Sequence, residues 1–217
     1  MKIIFDLDGT LIDSAPDINA AGNAVLQDEG FAGVSLAQTR SFIGNGAGMY
    51  VKRLEAAVTD AHDPARVERM RLRFAAHYET AHALTHIYPG VQEALAALQS
   101  GGWRFGLCTN KPIAPTRTVL AHFGWSDLFD HVIGGDSLPV HKPDPAPLHA
   151  VIEAMGGGPV LYVGDSEVDA GTAQAAQVPF ALFTQGYRKT PVDKIAHDRA
   201  FDDWAQFPAI ARGLMGG

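Results

Sequence analysis

The feature that most constrains the fold is a regular alternation of short apolar runs with helical segments from Tyr88 onward. Strands interleaved with helices in this way are typical of a parallel sheet with helices on both faces. An N-terminal run at 3–5 supplies a further strand. The later predicted strands cover 104–108, 131–134, 160–163 and 179–183, and the predicted helices cover 91–98, 112–123, 145–155 and 168–176.

Residues 15–87 carry a different pattern, in which helical signals dominate and no convincing strand occurs. Ser35 and Gln38 form a capping-box pair, which marks the start of a helix. Further helices are predicted at 17–29, 46–58 and from Pro64 to about residue 84. We therefore expect an α/β core formed by 1–14 and 88–217, with a helical domain inserted at 15–87 between the first strand and the rest of the sheet.

Charge and hydropathy exclude several classes of partner. The chain has 24 acidic and 17 basic residues, a formal net charge of -7 and no basic run, so neither nucleic acid nor an anionic membrane is an expected partner. Acidic residues interrupt the apolar N-terminus, and no later segment is long enough to cross a membrane. The single cysteine, Cys108, lies in an apolar run and is expected to be a buried core residue. These observations predict a cytoplasmic protein.

Two aspartates, Asp6 and Asp8, directly follow the first apolar run. Side chains at i and i+2 of an extended strand lie on the same side, so the two carboxylates are expected side by side. The Asp8-Gly9 pair is also a typical hairpin turn. The following residues lack the alternation of a second hairpin strand and soon reach Pro16, but this stretch by itself leaves both interpretations open.

Polar residues follow two other predicted strands, and ligands of parallel sheets bind at the carboxyl ends of the strands. Thr109 and Asn110 follow the strand at 104–108, and Asp165 follows the strand at 160–163. Lys142 lies in the loop before the helix that precedes Asp165. Each of these signals alone is typical of a turn or a helix cap. Together they would place carboxylates, a hydroxyl, an amide and an ammonium in one crevice.

This set of groups suits phosphoryl transfer. The carboxylates of Asp6 and Asp165, with the backbone carbonyl of Asp8, are oxygen ligands of the kind that Mg²⁺ prefers. Asp6 would attack phosphorus and form an aspartyl-phosphate, while Asp8 would protonate the leaving alkoxide and later activate water. The phosphoryl oxygens would be held by Thr109, Asn110 and Lys142.

The same motifs resemble those of the haloacid dehalogenase superfamily of phosphotransferases. The matching stretches are 6–10, 108–110, Lys142-Pro143 and 164–169. The resemblance implies a Rossmann-like core, a helical cap inserted after the first motif, and a contribution of Asp169 to the metal site. Since the dehalogenases of the superfamily lack the second aspartate of the first motif, Asp8 favours phosphate-ester chemistry.

Within the superfamily, the stretches 11–17, 42–47, 109–112 and 133–136 are similar to those of phosphoglycolate phosphatases. This similarity implies a Mg²⁺-dependent hydrolysis of a small phosphate ester, 2-phosphoglycolate above all. The alternatives are a phosphatase for sugar phosphates or nucleoside monophosphates, a phosphomutase similar to β-phosphoglucomutase, and a non-catalytic binding protein.

The glycine-rich stretch at 44–48 lies in the predicted cap. No strand precedes it, which disfavours a dinucleotide site. Its backbone amides could instead face an anion in the crevice, with Arg53, Lys52 and Arg40 nearby. Arg53 is accordingly predicted to bind substrate; a solvated turn with ordinary surface charges is the alternative.

Overall fold

The structure is a computed structural model that describes residues 1–216. Across this part of the chain, six parallel strands form one sheet in the order β5-β4-β1-β6-β7-β8, and a separate antiparallel ribbon joins β2 to β3. The predicted α/β fold with a parallel sheet is therefore confirmed. In chain order the strands are β1 (Lys2–Phe5), β2 (Ile12–Asp13), β3 (His86–Ile87), β4 (Arg104–Cys108), β5 (His131–Ile133), β6 (Leu161–Gly164), β7 (Phe180–Phe183) and β8 (Arg199–Phe201).

Helices cover both faces of the sheet and build the segment between β2 and β3. No helix in residues 1–216 combines the length and the apolar character needed to cross a membrane. In chain order the helices are α1 (Ala15–Asp28), α2 (Leu36–Phe42), α3 (Gly46–Ala56), α4 (Pro64–Glu79), α5 (Val91–Ser100), α6 (Ile113–His122), α7 (Ala146–Ala154), α8 (Glu167–Ala176) and α9 (Phe207–Leu214).

Alternation along β1 divides the core into two apolar clusters. Ile3 and Phe5 pack into a cluster that includes residues of α5, α6 and α9, whereas Ile4 packs into another that includes residues of α7 and α8. Successive strand side chains point to opposite faces, so a strand buried on both faces is apolar throughout. Cys108 belongs to the second cluster, where burial raises the pKa of its thiol to about 12. The prediction that it is a buried core residue is confirmed.

Helices α1 to α4 enclose an apolar cluster of their own. The aromatic rings of Tyr50, Phe74 and Tyr78 follow one another in this cluster, with centroid separations of 4.9 and 5.0 Å. Ser35 and Gln38 form the predicted capping box, with both reciprocal hydrogen bonds present. The local helix signals in this segment thus specify where α2 begins.

Two predictions for this segment are wrong. Residues 86–87 form β3, which pairs with β2, although no strand was expected before Tyr88. A two-residue strand is too short to show the alternation by which strands are recognised in a sequence. Helix α4 ends at Glu79 and not near residue 84, because the carboxylate of Asp17 accepts hydrogen bonds from the Leu84 backbone and the Thr85 hydroxyl.

Candidate active site

The site lies at the carboxyl ends of three neighbouring strands, β4, β1 and β6. Asp6 follows β1, Thr109 follows β4 and Asp165 follows β6. The Asp6 amide donates to the Val163 carbonyl at 2.8 Å, so the sheet ladder continues up to the first carboxylate. The parallel register therefore brings together three residues that are widely separated in the chain.

Three buried carboxylates form the centre of the site. One oxygen from each of Asp6, Asp165 and Asp169 lies within 4.8 Å of the others. Burial raises the pKa of Asp6 to about 7, against the opposing effect of Lys142, and burial with the charges of Asp169 and Asp6 raises that of Asp165. The negative charge of this cluster is only partly compensated, and its carboxylate oxygens are hard donors. The cluster therefore fits a divalent cation such as Mg²⁺.

Lys142 supplies the ammonium beside this cluster. Its Nζ lies 2.9 Å from Asp6 Oδ1 and 2.7 Å from Asp169 Oδ1, and it donates to the Tyr162 hydroxyl at 2.9 Å. Although burial opposes the effect, these carboxylates raise the pKa of Lys142 above its ordinary value. The side chain is thus a fixed positive charge next to Asp6.

Asp169 holds its neighbours in place. Besides its bond to Lys142, its Oδ2 accepts from the Ser166 hydroxyl at 2.7 Å and from the Ser166 amide at 3.2 Å. It forms the capping box that begins α8. Because of its contacts to Lys142 and Ser166, the pKa of Asp169 lies below the usual value despite burial. Its placement fits an indirect contribution to a metal site, through orientation of Lys142 and the loop that carries Asp165.

The loop around Asp165 depends on two glycines. The Asp165 carboxylate accepts from the Thr10 hydroxyl at 3.1 Å and from the Tyr187 amide. A Cβ built on Gly9, or one built on Gly186, would lie within 3.0 Å of an Asp165 oxygen. Gly9 also has φ +84°, a conformation that L side chains rarely adopt. The carboxylate can lie this deep only because both neighbours lack a side chain.

Asp8 lines the same cavity as Asp6, as the i, i+2 spacing predicts. Its Oδ1 accepts from the Ser14 hydroxyl at 2.6 Å and lies 3.3 Å from Lys111 Nζ. The Asp8-Gly9 turn does reverse the chain locally, since the Gly9 amide donates to the Ile12 carbonyl. However, the strand that follows pairs with β3 and not with β1, so the turn forms no hairpin with β1.

The two predicted phosphate-binding residues after β4 have different surroundings. Thr109 lines the cavity, and its hydroxyl accepts from the Lys111 amide at 3.2 Å. The Asn110 side chain donates to the carbonyls of Lys142 and Gly44 and accepts from the Lys142 amide, each at 3.0 Å. Asn110 therefore fastens the Lys142 loop and the cap to β4 in this arrangement.

The helical segment at 15–87, which is predicted to form the cap, contacts the end of β4 and Lys189 through the loop between α2 and α3. Ile43 and Gly44 line the cavity, and Lys189 of the core donates to the Ile43 carbonyl at 2.9 Å. Arg53 does not line this cavity: its guanidinium donates to the Phe42 carbonyl at 2.6 Å and to the Asn45 side chain at 2.8 Å. The predicted substrate contact of Arg53 is thus replaced here by contacts that hold the loop.

Two residues of the site, Lys111 and Tyr187, were given no role from the sequence. Lys111, only 4% exposed, extends from the end of β4 towards the cap, where its ammonium contacts the Tyr78 hydroxyl and lies 4.1 Å from the ring centroid. Tyr187 donates to Asp13 at 2.6 Å and accepts from the Ser14 amide at 2.8 Å, which fixes the start of the cap. The sequence signal for Lys111 is its position directly after Thr109-Asn110.

Comparison with known families decides the affiliation. Residues 3–183 match the family model described as haloacid dehalogenase-like hydrolase. The chain belongs to the haloacid dehalogenase-like hydrolase family. This confirms the family and the hydrolase class that were predicted from the four motifs, and it accounts for their position at the strand ends.

Members of this family with curated names are close to the chain. It is 51% identical over 214 residues to a protein named phosphoglycolate phosphatase from Cereibacter sphaeroides, with 98% of each chain covered. A protein of the same name from Rhodobacter capsulatus is 42% identical, with 97% of this chain and 96% of the relative covered. A crystal structure of a predicted phosphoglycolate phosphatase from Haemophilus somnus aligns with a TM-score of 0.88 at 33% identity and covers 96% of each chain.

Proposed function

We propose that the chain is a Mg²⁺-dependent phosphatase that hydrolyses 2-phosphoglycolate to glycolate and phosphate through an aspartyl-phosphate on Asp6. The observation that carries the proposal is the position of Asp6, which shares one cavity with Asp8 and contacts the fixed ammonium of Lys142. The choice of substrate is supported by the names of the relatives at 51% and 42% identity.

In the first step a carboxylate oxygen of Asp6 attacks phosphorus, and the bond from phosphorus to the ester oxygen breaks. Asp8 gives a proton to the departing glycolate oxygen. Lys142 and the Thr109 hydroxyl bind the phosphoryl oxygens, whose charge redistributes as the bond breaks. Asn110 contributes by holding the Lys142 backbone.

In the second step a water molecule attacks the phosphorus of the aspartyl-phosphate. Asp8, now deprotonated, takes a proton from that water, and the bond from phosphorus to Asp6 breaks. Phosphate leaves, and both aspartates regain their initial states. The apolar cap residues that line the cavity, such as Ile43 and Phe74, would keep other water away during the reaction.

The proposed Mg²⁺ would be held by Asp6 and Asp165, with the Asp8 carbonyl as a further oxygen ligand and Asp169 behind them. When bound, such an ion offsets the repulsion between carboxylates and phosphate and stabilises charge on the phosphoryl oxygens. The close approach of Asp6, Asp165 and Asp169 supports this assignment.

We also propose that 1–14 and 88–217 form the catalytic core and that 15–87 form a mobile cap. The separate apolar cluster of α1 to α4 and the β2–β3 ribbon at the junction support this division. Opening would break the bonds from Asn110 and Lys189 to the loop at 43–44 and admit substrate. We further propose that the enzyme works in the cytoplasm, where its single cysteine stays reduced.

Phosphate release from a panel of esters tests the proposal. The panel contains 2-phosphoglycolate, sugar phosphates and nucleoside monophosphates, each measured with Mg²⁺ and with a chelator, for the native chain and for Asp6→Asn. We expect Mg²⁺-dependent release that is fastest with 2-phosphoglycolate and is lost in Asp6→Asn, because an amide is a poor nucleophile.

Other outcomes would change the assignment. A preference for a sugar phosphate would retain the mechanism and replace the substrate. Transfer of phosphate between positions of a sugar phosphate, without release, would indicate a phosphomutase. Full activity of Asp6→Asn would contradict the aspartyl-phosphate.

A further inference from the structure

The chemistry of the proposed substrate determines where its carboxylate must lie. In 2-phosphoglycolate a single methylene separates the carboxylate from the ester oxygen. Asp8 is the residue that would protonate this oxygen, and a proton donor must lie within hydrogen-bond reach of its acceptor. The substrate carboxylate therefore comes to rest close to Asp8. A carboxylate buried there needs a cation within a few ångströms, because an unpaired charge is costly to remove from water.

Few basic side chains are placed to bind this carboxylate. In residues 1–216, two adjoining pockets share Asp6 and Asp8; Lys111 is the basic side chain that lines one, and Lys142 and Lys189 line the other. Lys142 is engaged between Asp6 and Asp169. Lys189 donates to the Ile43 carbonyl and lies in the part of the cavity that contains Glu167. The arginines predicted to serve from the cap are occupied elsewhere, with Arg40 bound to Asp13 and Arg53 to the α2–α3 loop.

Lys111 has the required position. Its Nζ lies 3.3 Å from Asp8 Oδ1. The Lys111 side chain lines the same pocket as Asp6, Asp8 and Thr109. Apolar side chains from the predicted cap also line this pocket, among them Ile18, Ile43 and Phe74. They carry no charge that could bind a carboxylate. The buried ammonium has the Asp8 carboxylate at 3.3 Å, and a second carboxylate from the substrate would add to the attraction that offsets the cost of its burial.

We propose that Lys111 is the specificity-determining residue that binds the carboxylate of the substrate, and that it does so from the core and not from the cap. This inference rests on the proposed function. Contact with the Tyr78 hydroxyl and ring orients the ammonium, so that closure of the cap completes the carboxylate site. The site then accepts a short phosphate ester whose carboxylate follows directly after the ester carbon, and it disfavours esters that carry a neutral group there.

A pair of non-hydrolysable ligands tests this assignment. 3-Phosphonopropionate replaces the ester oxygen of 2-phosphoglycolate by a methylene, and propylphosphonate differs from it by the absence of the carboxylate. Affinities of both are measured calorimetrically with Mg²⁺ for the native chain, Lys111→Met and Lys111→Arg. The control is Lys194→Met, which changes an exposed lysine that lines neither pocket around Asp6 and Asp8.

We expect the native chain to prefer 3-phosphonopropionate and Lys111→Met to bind it about 10- to 100-fold more weakly, the loss typical of a charge-assisted hydrogen bond. Propylphosphonate should bind equally to both. Lys111→Arg should retain part of the preference, and Lys194→Met all of it. If Lys111→Met does not fold, as judged by circular dichroism, Lys111→Gln provides the same comparison.

The inference would be overturned if the native chain shows no preference, or if loss of the Lys111 charge weakens both ligands equally. Equal weakening would mean that Lys111 only positions Asp8. Failure of the proposed function is distinguished by a separate measurement, since it would appear as absence of phosphate release from 2-phosphoglycolate by the native chain. Ligand preference and turnover therefore report on the two proposals independently.

Discussion

At the scale of single residues, the neighbours of Asp8 differ from those of Asp6. Asp8 accepts from the Ser14 hydroxyl and faces Lys111, whereas Asp6 lies in the carboxylate cluster beside Lys142. The proposed mechanism assigns attack on phosphorus to Asp6 and proton transfer to Asp8, and since the side chains are the same, their surroundings must separate these roles. A substitution that keeps the shape of Asp8 and removes its acidic proton should therefore affect proton transfer and leave attack on phosphorus intact.

Asp8→Asn with p-nitrophenyl phosphate is expected to show this separation. The nitrophenolate leaves without protonation, so Asp6 should still become phosphorylated, but the attacking water has lost its base. We expect a burst of one nitrophenolate per chain followed by turnover that is about 10²- to 10⁴-fold slower than that of the native enzyme. Rapid-mixing absorbance measures the burst, and Asp6→Asn should give none. Native steady-state rates in Asp8→Asn would contradict the role of Asp8.

At the scale of elements, local signals specify the regular parts of the fold. The Ser35–Gln38 capping box was predicted and begins α2, and the strand predicted at 104–108 is β4. The β2–β3 ribbon was missed because two-residue strands have no periodicity. The end of α4 was missed because Asp17, far away in the sequence, binds the segment that follows. Contacts between distant residues override helix propensity at such points.

The loop that carries Gly186 illustrates how an element constrains the site. Gly186→Ala would place a methyl group within 3.0 Å of the Asp165 side chain and of the Gly9 carbonyl. We expect a loss of about 1–3 kcal/mol in the free energy of unfolding, typical of overpacking, together with weaker Mg²⁺ binding. Urea unfolding and metal titration measure both.

A matched control is Gly213→Ala in α9, where an added methyl group has no neighbour within 4 Å. It should leave Mg²⁺ binding unchanged and stabilise the helix by about 1 kcal/mol, since alanine favours helices more than glycine does. Equal effects of the two substitutions would show that crowding at Asp165 is not the cause.

At the scale of the whole molecule, the alternation of strands and helices allowed the α/β fold to be predicted, and with it the convergence of Asp6, Thr109 and Asp165 at neighbouring strand ends. Lys111 and Tyr187 could not be assigned roles in this way. Their partners are distant in the sequence, Tyr78 in α4 and Asp13 in β2, and only the folded chain brings each pair together. Prediction thus succeeds where strand ends determine the position of a residue and stops where contacts between distant elements determine it.

The C-terminal segment completes the core beneath the site. Trp204 is 1% exposed and contacts Phe5, the residue immediately before Asp6, at a centroid distance of 6.2 Å. We expect Trp204→Ala to lower the free energy of unfolding by about 3–5 kcal/mol, because a cavity replaces a large buried ring. Urea unfolding measures the loss. Leu72→Ala, at a side chain that is 56% exposed, should change stability little, and a comparable loss there would contradict this account.

Three side chains hold the loop between α2 and α3 by hydrogen bonds to its backbone carbonyls. Arg53 binds the carbonyl of Phe42, Lys189 that of Ile43 and Asn110 that of Gly44. None of these bonds depends on which side chain stands at position 43, although that side chain lines the cavity. A substitution at position 43 can therefore change the shape of the cavity, and with it the ester that fits, without breaking the bonds that hold this loop. The position of the loop and the choice of substrate can thus change independently in this chain.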